Sequence, residues 1–88
     1  MRKHLNISGR VQGVGFRNSA QMRAKEMNLY GWVQNNNDGT VELEVEGKEE
    51  QLNTYIEQLD EGLNKFINVE HMEIETMEDY GYDSFQTR

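Results

Sequence analysis

The chain has 88 residues, enough for one compact domain over residues 1–88 and too few for a second core. Sixteen acids against nine bases give a net charge of −7, a poor footprint for binding a phosphate backbone, so no nucleic-acid partner is expected. No cysteine is present for a disulfide, thiolate metal site or thiol nucleophile, and Arg2, Lys3 and His4 precede no apolar run, so a membrane or signal segment is not expected and a cytoplasmic location is the default.

Leu5, Ile7 and Gly9 alternate with His4, Asn6 and Ser8, the pattern of a strand with one buried face, read here as edge-like. Gly9 to Arg17 then holds three glycines, and Phe16, Ala20, Ala24 and Met27 recur at helical spacing beyond it, with Asn28 suited to close the helix. Leu29 to Gln34 suits a strand, and Val41, Leu43 and Val45 alternate with Thr40, Glu42, Glu44 and Glu46 in the next. Between them, Asn35 to Gly39 is rich in turn formers and predicts a hairpin.

Glu49 and Glu50 stand where a helix dipole favours acids, ahead of an apolar stripe of Leu52, Tyr55, Ile56, Leu59 and Leu63, with Gly62 closing the helix or just inside it. Ile67, Val69, Met72, Ile74 and Thr76 suggest a strand whose alternation slips near Glu70 and His71, and Tyr82, Phe85 and Thr87 a short last strand. The order is β-α-β-β-α-β, an α+β arrangement in which two helices cover one face of an antiparallel sheet.

Converging backbone N–H groups hold a phosphoryl group without needing a counterion, and glycine lets the backbone approach closely enough. Gln12, Gly13, Val14, Gly15 and Phe16 can form such a loop at the head of the first helix, although the same glycines would also serve a simple tight turn. Arg17 follows at once, with a planar guanidinium that can donate two hydrogen bonds to one phosphate. Asn35 reads locally first as an ordinary turn former, yet its amide can also accept from a water while donating to a phosphate.

These segments carry a family resemblance. Gly9-Arg10-Val11-Gln12-Gly13-Val14-Gly15-Phe16-Arg17 resembles the acylphosphatase signature G-x-V-Q-G-V-x-[FM]-R at every fixed position. Gly31-Trp32-Val33-Gln34-Asn35, then Asp38-Gly39-Thr40-Val41 and Gly47, resemble its second signature. The resemblance covers nearly the whole chain and implies a ferredoxin-like α/β sandwich and a metal-free, cofactor-free hydrolase acting on small acyl phosphates. It also implies that Arg17 is the phosphate-binding catalytic arginine and Asn35 the asparagine that positions the attacking water. Phosphate or sulfate would then compete, and a monomer is expected. Two features depart from the family: residues 63–69 lack its frequent Gly-Pro turn, and the chain is acidic where animal members are basic.

His4 and His71 have no companions at ligand spacing, so no metal site is expected, and no glutamate is given a catalytic role. Arg10, Arg23 and Arg88 read as surface groups that could assist substrate approach, and Trp32 as packing. Three other functions compete with this reading: a phosphate-binding module without turnover, an RNA-binding domain of the same fold, and a piece of a larger carbamoyl-phosphate-handling enzyme. Retention of both Arg17 and Asn35 argues against the first, the −7 charge against the second, and the apparent completeness of the chain against the third.

Overall fold

Two periodicities, 2 in the strands and 3.6 in the helices, build the whole architecture of the computed structural model, which describes every residue from Met1 to Arg88. In chain order the elements are β1 (Arg2–Arg10), α1 (Phe16–Glu26), β2 (Tyr30–Asn35), β3 (Val41–Glu46), α2 (Glu49–Glu61), β4 (Asn68–Met77) and β5 (Phe85–Thr87). The strands form one sheet in the order β4-β1-β3-β2-β5. β1 pairs antiparallel with both β3 and β4, and β2 antiparallel with β3, giving the expected ferredoxin-like α+β sandwich.

Two details differ from the sequence reading. β1 is an interior strand, not an edge-like one, so His4 has a strand on each side. β5 runs parallel to β2, with Gly31 beside Phe85 and Val33 beside Thr87, so the five-stranded sheet is mixed. The cause is where β4 finishes. Met77 lies opposite Arg2, at the end of the sheet where β2 also begins. The chain crosses that end through residues 78–84 and meets β2 at its start, which fixes the parallel direction. Tyr82, expected in this strand, belongs to the crossing segment.

Alternation sends Leu5, Ile7, Val33, Val41, Leu43 and Val45 to one face of the sheet, where Phe16, Ala20 and Ala24 of α1 and Leu52, Tyr55 and Leu59 of α2 cover them in one buried cluster. Each large apolar side chain removed from water there contributes about 1.5–3 kcal/mol. The alanines at 20 and 24 keep α1 narrow enough for Tyr55 to reach its backbone. The Tyr55 hydroxyl donates to the Ala20 carbonyl at 2.7 Å, and its burial pushes the phenol well above its ordinary range. Asn28 does adopt the left-handed conformation after α1, and Gly62 closes α2. The slip near Glu70 is also present, since Ser8 faces His71 while Gly9 faces Val69.

The opposite face of the sheet lacks helices but is not bare. Glu44 and Glu46 point there from β3, yet are only 6% and 7% exposed, because residues 78–84 lie across them. The Glu46 carboxylate accepts from the backbone N–H groups of Tyr80, Gly81 and Tyr82. The Glu44 carboxylate accepts from the Tyr82 hydroxyl at 2.6 Å and Arg2 Nη1 at 2.9 Å, and lies 2.6 Å from His4 Nδ1. Burial works to raise the Glu44 carboxyl, but these hydrogen bonds and the charge of Arg2 outweigh it and hold it below the usual range.

Candidate active site

The five residues Val11–Gly15 must turn the chain from the end of β1 into the head of α1. Gly13 and Gly15 do so with φ of 75° and 79°, a conformation that costs an L side chain roughly 1–2 kcal/mol. A Cβ at Gly13 would meet nothing within 4 Å, so backbone conformation rather than lack of room calls for glycine there.

Gly15 caps α1 without any side-chain hydrogen bond, and Ser19 N–H donates to the Gly15 carbonyl at 3.0 Å. The N–H groups of Phe16, Arg17 and Asn18 precede that bond and have no acceptor within the helix. No acid stands in the first turn of α1, whereas α2 carries Glu49 and Glu50 there. The positive end of the α1 dipole is therefore left uncompensated beside the loop.

Side chains from distant segments fasten this loop. Val11 is buried in the core. Gln12 Nε2 donates to the Asn36 and Thr40 carbonyls at 2.8 and 2.9 Å, tying the loop to the β2–β3 hairpin. Asn64 Nδ2 donates to the Val14 carbonyl at 3.0 Å.

Asn35 ends β2 opposite Val41, with an exposed carboxamide that makes no hydrogen bond to the protein. The turn behind it is closed by Asp38, which accepts from the Thr40 hydroxyl at 2.6 Å and the Thr40 N–H at 3.0 Å. Those two bonds hold the Asp38 carboxyl below its ordinary range.

Gly13, Gly15, Phe16, Arg17 and Asn35 line one cavity of about 180 Å³, with Val11 and Asn18 completing it. Gln12 and Val14, expected in the phosphate loop, do not line it: the Gln12 carboxamide is engaged by the hairpin and the Val14 carbonyl by Asn64. Arg17 is exposed and uses Nη1 to donate to the main-chain oxygen of Arg88 at 2.9 Å. A guanidinium has five N–H donors, so others remain for an anion.

Arg88 is itself held twice: its N–H donates to the Val33 carbonyl at 2.8 Å, and its guanidinium lies 4.4 Å from the centre of the Trp32 ring. Asn64 escaped the sequence reading, and Arg88 reads there only as a surface group that could assist substrate approach, because their contacts span 50 and 71 residues and leave no local pattern. No three His, Cys, Asp or Glu side chains converge as metal ligands. The His4 nitrogens lie 2.6 and 2.9 Å from Glu44 and Glu42, on opposite sides of the ring.

Fold and site together define a class: a ferredoxin-like sandwich that gathers uncapped backbone N–H groups, one guanidinium and one carboxamide around a single small cavity. The acylphosphatase family model matches residues 3–87. An acylphosphatase of Geobacillus kaustophilus is 47% identical over 74 residues, 84% of this chain and 78% of the relative. The crystal structure of acylphosphatase from Bacillus subtilis superposes with a TM-score of 0.93 at 35% identity, covering 99% of this chain and 97% of that one. Full-length HypF in its phosphate- and nucleotide-bound form contains the same fold at a TM-score of 0.91 and 31% identity, over 99% of this chain but 11% of HypF. The chain belongs to the acylphosphatase family, and its activity is that of an acylphosphatase hydrolase.

Proposed function

We propose that the Gln12–Phe16 loop and Arg17 hold the phosphoryl group of a small acyl phosphate while Asn35 orients the water that attacks it. The observation that carries this reading is the meeting of Gly13, Gly15, Arg17 and Asn35 on one cavity at the uncompensated end of α1. Arg17 and the backbone N–H groups neutralise the phosphoryl oxygens, and the Asn35 carboxamide accepts from the water with Oδ1 and donates to a phosphoryl oxygen with Nδ2.

The water oxygen attacks phosphorus in line, and the bond from phosphorus to the carboxyl oxygen breaks with its electron pair going to the departing carboxylate. Such a leaving group has a conjugate acid of pKa about 4, so it departs without a general acid. The water's proton passes to a phosphoryl oxygen, which leaves no task for a glutamate base. We read the chain as acting through a single domain over residues 1–88, as a cytoplasmic monomer. No helix is long and apolar enough to cross a membrane.

The direct test is steady-state hydrolysis of an aryl acyl phosphate with inorganic phosphate or sulfate added. Both anions are expected to inhibit competitively and to raise the melting temperature, by about 2.7 kcal/mol of stability at a hundredfold excess over Kd. An active protein whose rate and melting temperature ignore saturating anion would contradict the placement of the cradle.

A further inference from the structure

We infer that Asn64 is a positioning residue for the phosphate loop, holding the Val14–Gly15 peptide so that the Gly15 N–H is presented to the cavity. The inference deepens the site reading above and rests on it. Asn64 lies in the connection between α2 and β4, where the family's frequent Gly-Pro turn is missing.

Its carboxamide is used at both ends. Oδ1 accepts from the N–H groups of Phe66 at 2.8 Å and Ile67 at 3.2 Å, and Nδ2 donates to the Val14 carbonyl at 3.0 Å. Two N–H donors identify the first atom as oxygen, which leaves the amide nitrogen for Val14. The base of this arm is fixed as well, because the Asn64 carbonyl accepts from Ile67 N–H at 3.3 Å and Ile67 is buried in the core.

Val14 carbonyl and Gly15 N–H belong to one peptide, and no peptide in the chain is cis. In a trans peptide those two groups point in opposite directions. A bond that draws the carbonyl toward Asn64 therefore turns the N–H away from Asn64. Gly15 lines the cavity and Asn64 does not. With no Cβ and a left-handed φ, Gly15 has little conformational preference of its own to hold that peptide. Asn64 supplies the missing restraint from outside the cavity lining.

The test compares Asn64→Ser and Asn64→Asp with wild type. A serine hydroxyl can still close the short turn toward Phe66 and Ile67 but is too short to reach Val14. Asp keeps both acceptor bonds, removes the donor and adds a charge, so it serves as a second variant should the serine variant lose stability.

Both variants are expected to weaken inorganic phosphate binding about three- to tenfold by calorimetry, the effect of one lost hydrogen bond. KM should rise by a similar factor while kcat stays within about twofold, since ground state and transition state share the loop. The Gly15 amide resonance should move in both variants before any phosphate is added, and its movement in the uncharged Asn64→Ser variant separates loop orientation from the added charge of Asp.

Folded variants with wild-type phosphate affinity and an unmoved Gly15 amide would overturn the assignment, leaving Asn64 a turn residue alone. Should phosphate leave the amides of residues 12–17 unperturbed in the wild type, the site reading fails and this inference with it. If those amides respond equally in wild type and both variants, only the role of Asn64 fails.

Discussion

The loop before α1 and the open face of the sheet are both polar, and they are built in opposite ways. On the open face, Arg2, His4, Glu44, Tyr82 and Trp32 satisfy one another through side-chain contacts, with hydrogen bonds and the charge of Arg2 holding the Glu44 carboxyl down against its burial and burial raising the Tyr82 phenol. At the loop, the first N–H groups of α1 have no side-chain cap, and the side chains of Arg17 and Asn35 stand exposed with bonding capacity in hand.

A cluster of displaced acids is a reasonable guide to many active sites, but in the proposed reading it marks the frame here. Size misleads too, since depressions of about 510 and 640 Å³ lie elsewhere, beside α2 and β4 and beside β3 and α2. In the proposed reading, the region with chemistry to do is the one whose hydrogen bonds are unfinished.

The largest effect that would break this contrast belongs to Arg17. Arg17→Ala is expected to abolish measurable turnover and phosphate binding together, and Arg17→Lys to fail nearly as badly, because an ammonium cannot reproduce the bidentate fork. Rate assays beside phosphate calorimetry check this. Near-normal phosphate affinity in Arg17→Ala would mean that the backbone holds the anion alone.

A smaller, opposite effect is expected from the frame. Glu44→Gln should cost about 1–2 kcal/mol of stability at neutral pH, because charge-assisted bonds from Arg2 and Tyr82 are weakened, while kcat/KM stays within about threefold. The sign of the pH dependence follows from the direction of its shift. The folded state holds the Glu44 carboxyl below its unfolded value, so its contribution is complete above about pH 4.3, the unfolded value, and is lost as pH falls through the lower, folded one. Melting temperatures followed by circular dichroism from neutral to acid pH should therefore fall less steeply in Glu44→Gln than in wild type. Loss of turnover without loss of stability would place the open face in the catalytic machinery.

What could be read from the sequence was whatever repeats locally. Alternation identified β1 and β3, helical spacing identified α1 and α2, and Asn35 to Gly39 identified the hairpin. Even the bulge opposite Ser8 and Gly9 showed as a broken alternation at Glu70. Arg17 and Asn35 stood out through the family resemblance, since the glycine loop and the hairpin by themselves fit simple tight turns as well.

The contacts that complete the site could not be read in the same way. Gln12 reaches the hairpin across 24 residues, Asn64 reaches Val14 across 50 and Arg17 reaches Arg88 across 71. The burial of Glu44 and Glu46 depends on where residues 78–84 cross, which no periodicity in β3 announces. The parallel direction of β5 has the same origin, being set by the end of the sheet at which β4 finishes.

In the proposed mechanism two side chains on one cavity divide the work, and one variant tests that division most directly. In Asn35→Ala, with circular dichroism confirming an intact fold, turnover of an aryl acyl phosphate should fall by several orders of magnitude, on the order of 10³ or more, as when a positioning group is removed. Calorimetry on the same sample should find inorganic phosphate bound within roughly tenfold of wild type, since one hydrogen bond of several is lost. Near-normal turnover in the folded variant would contradict the account and leave Asn35 a turn residue.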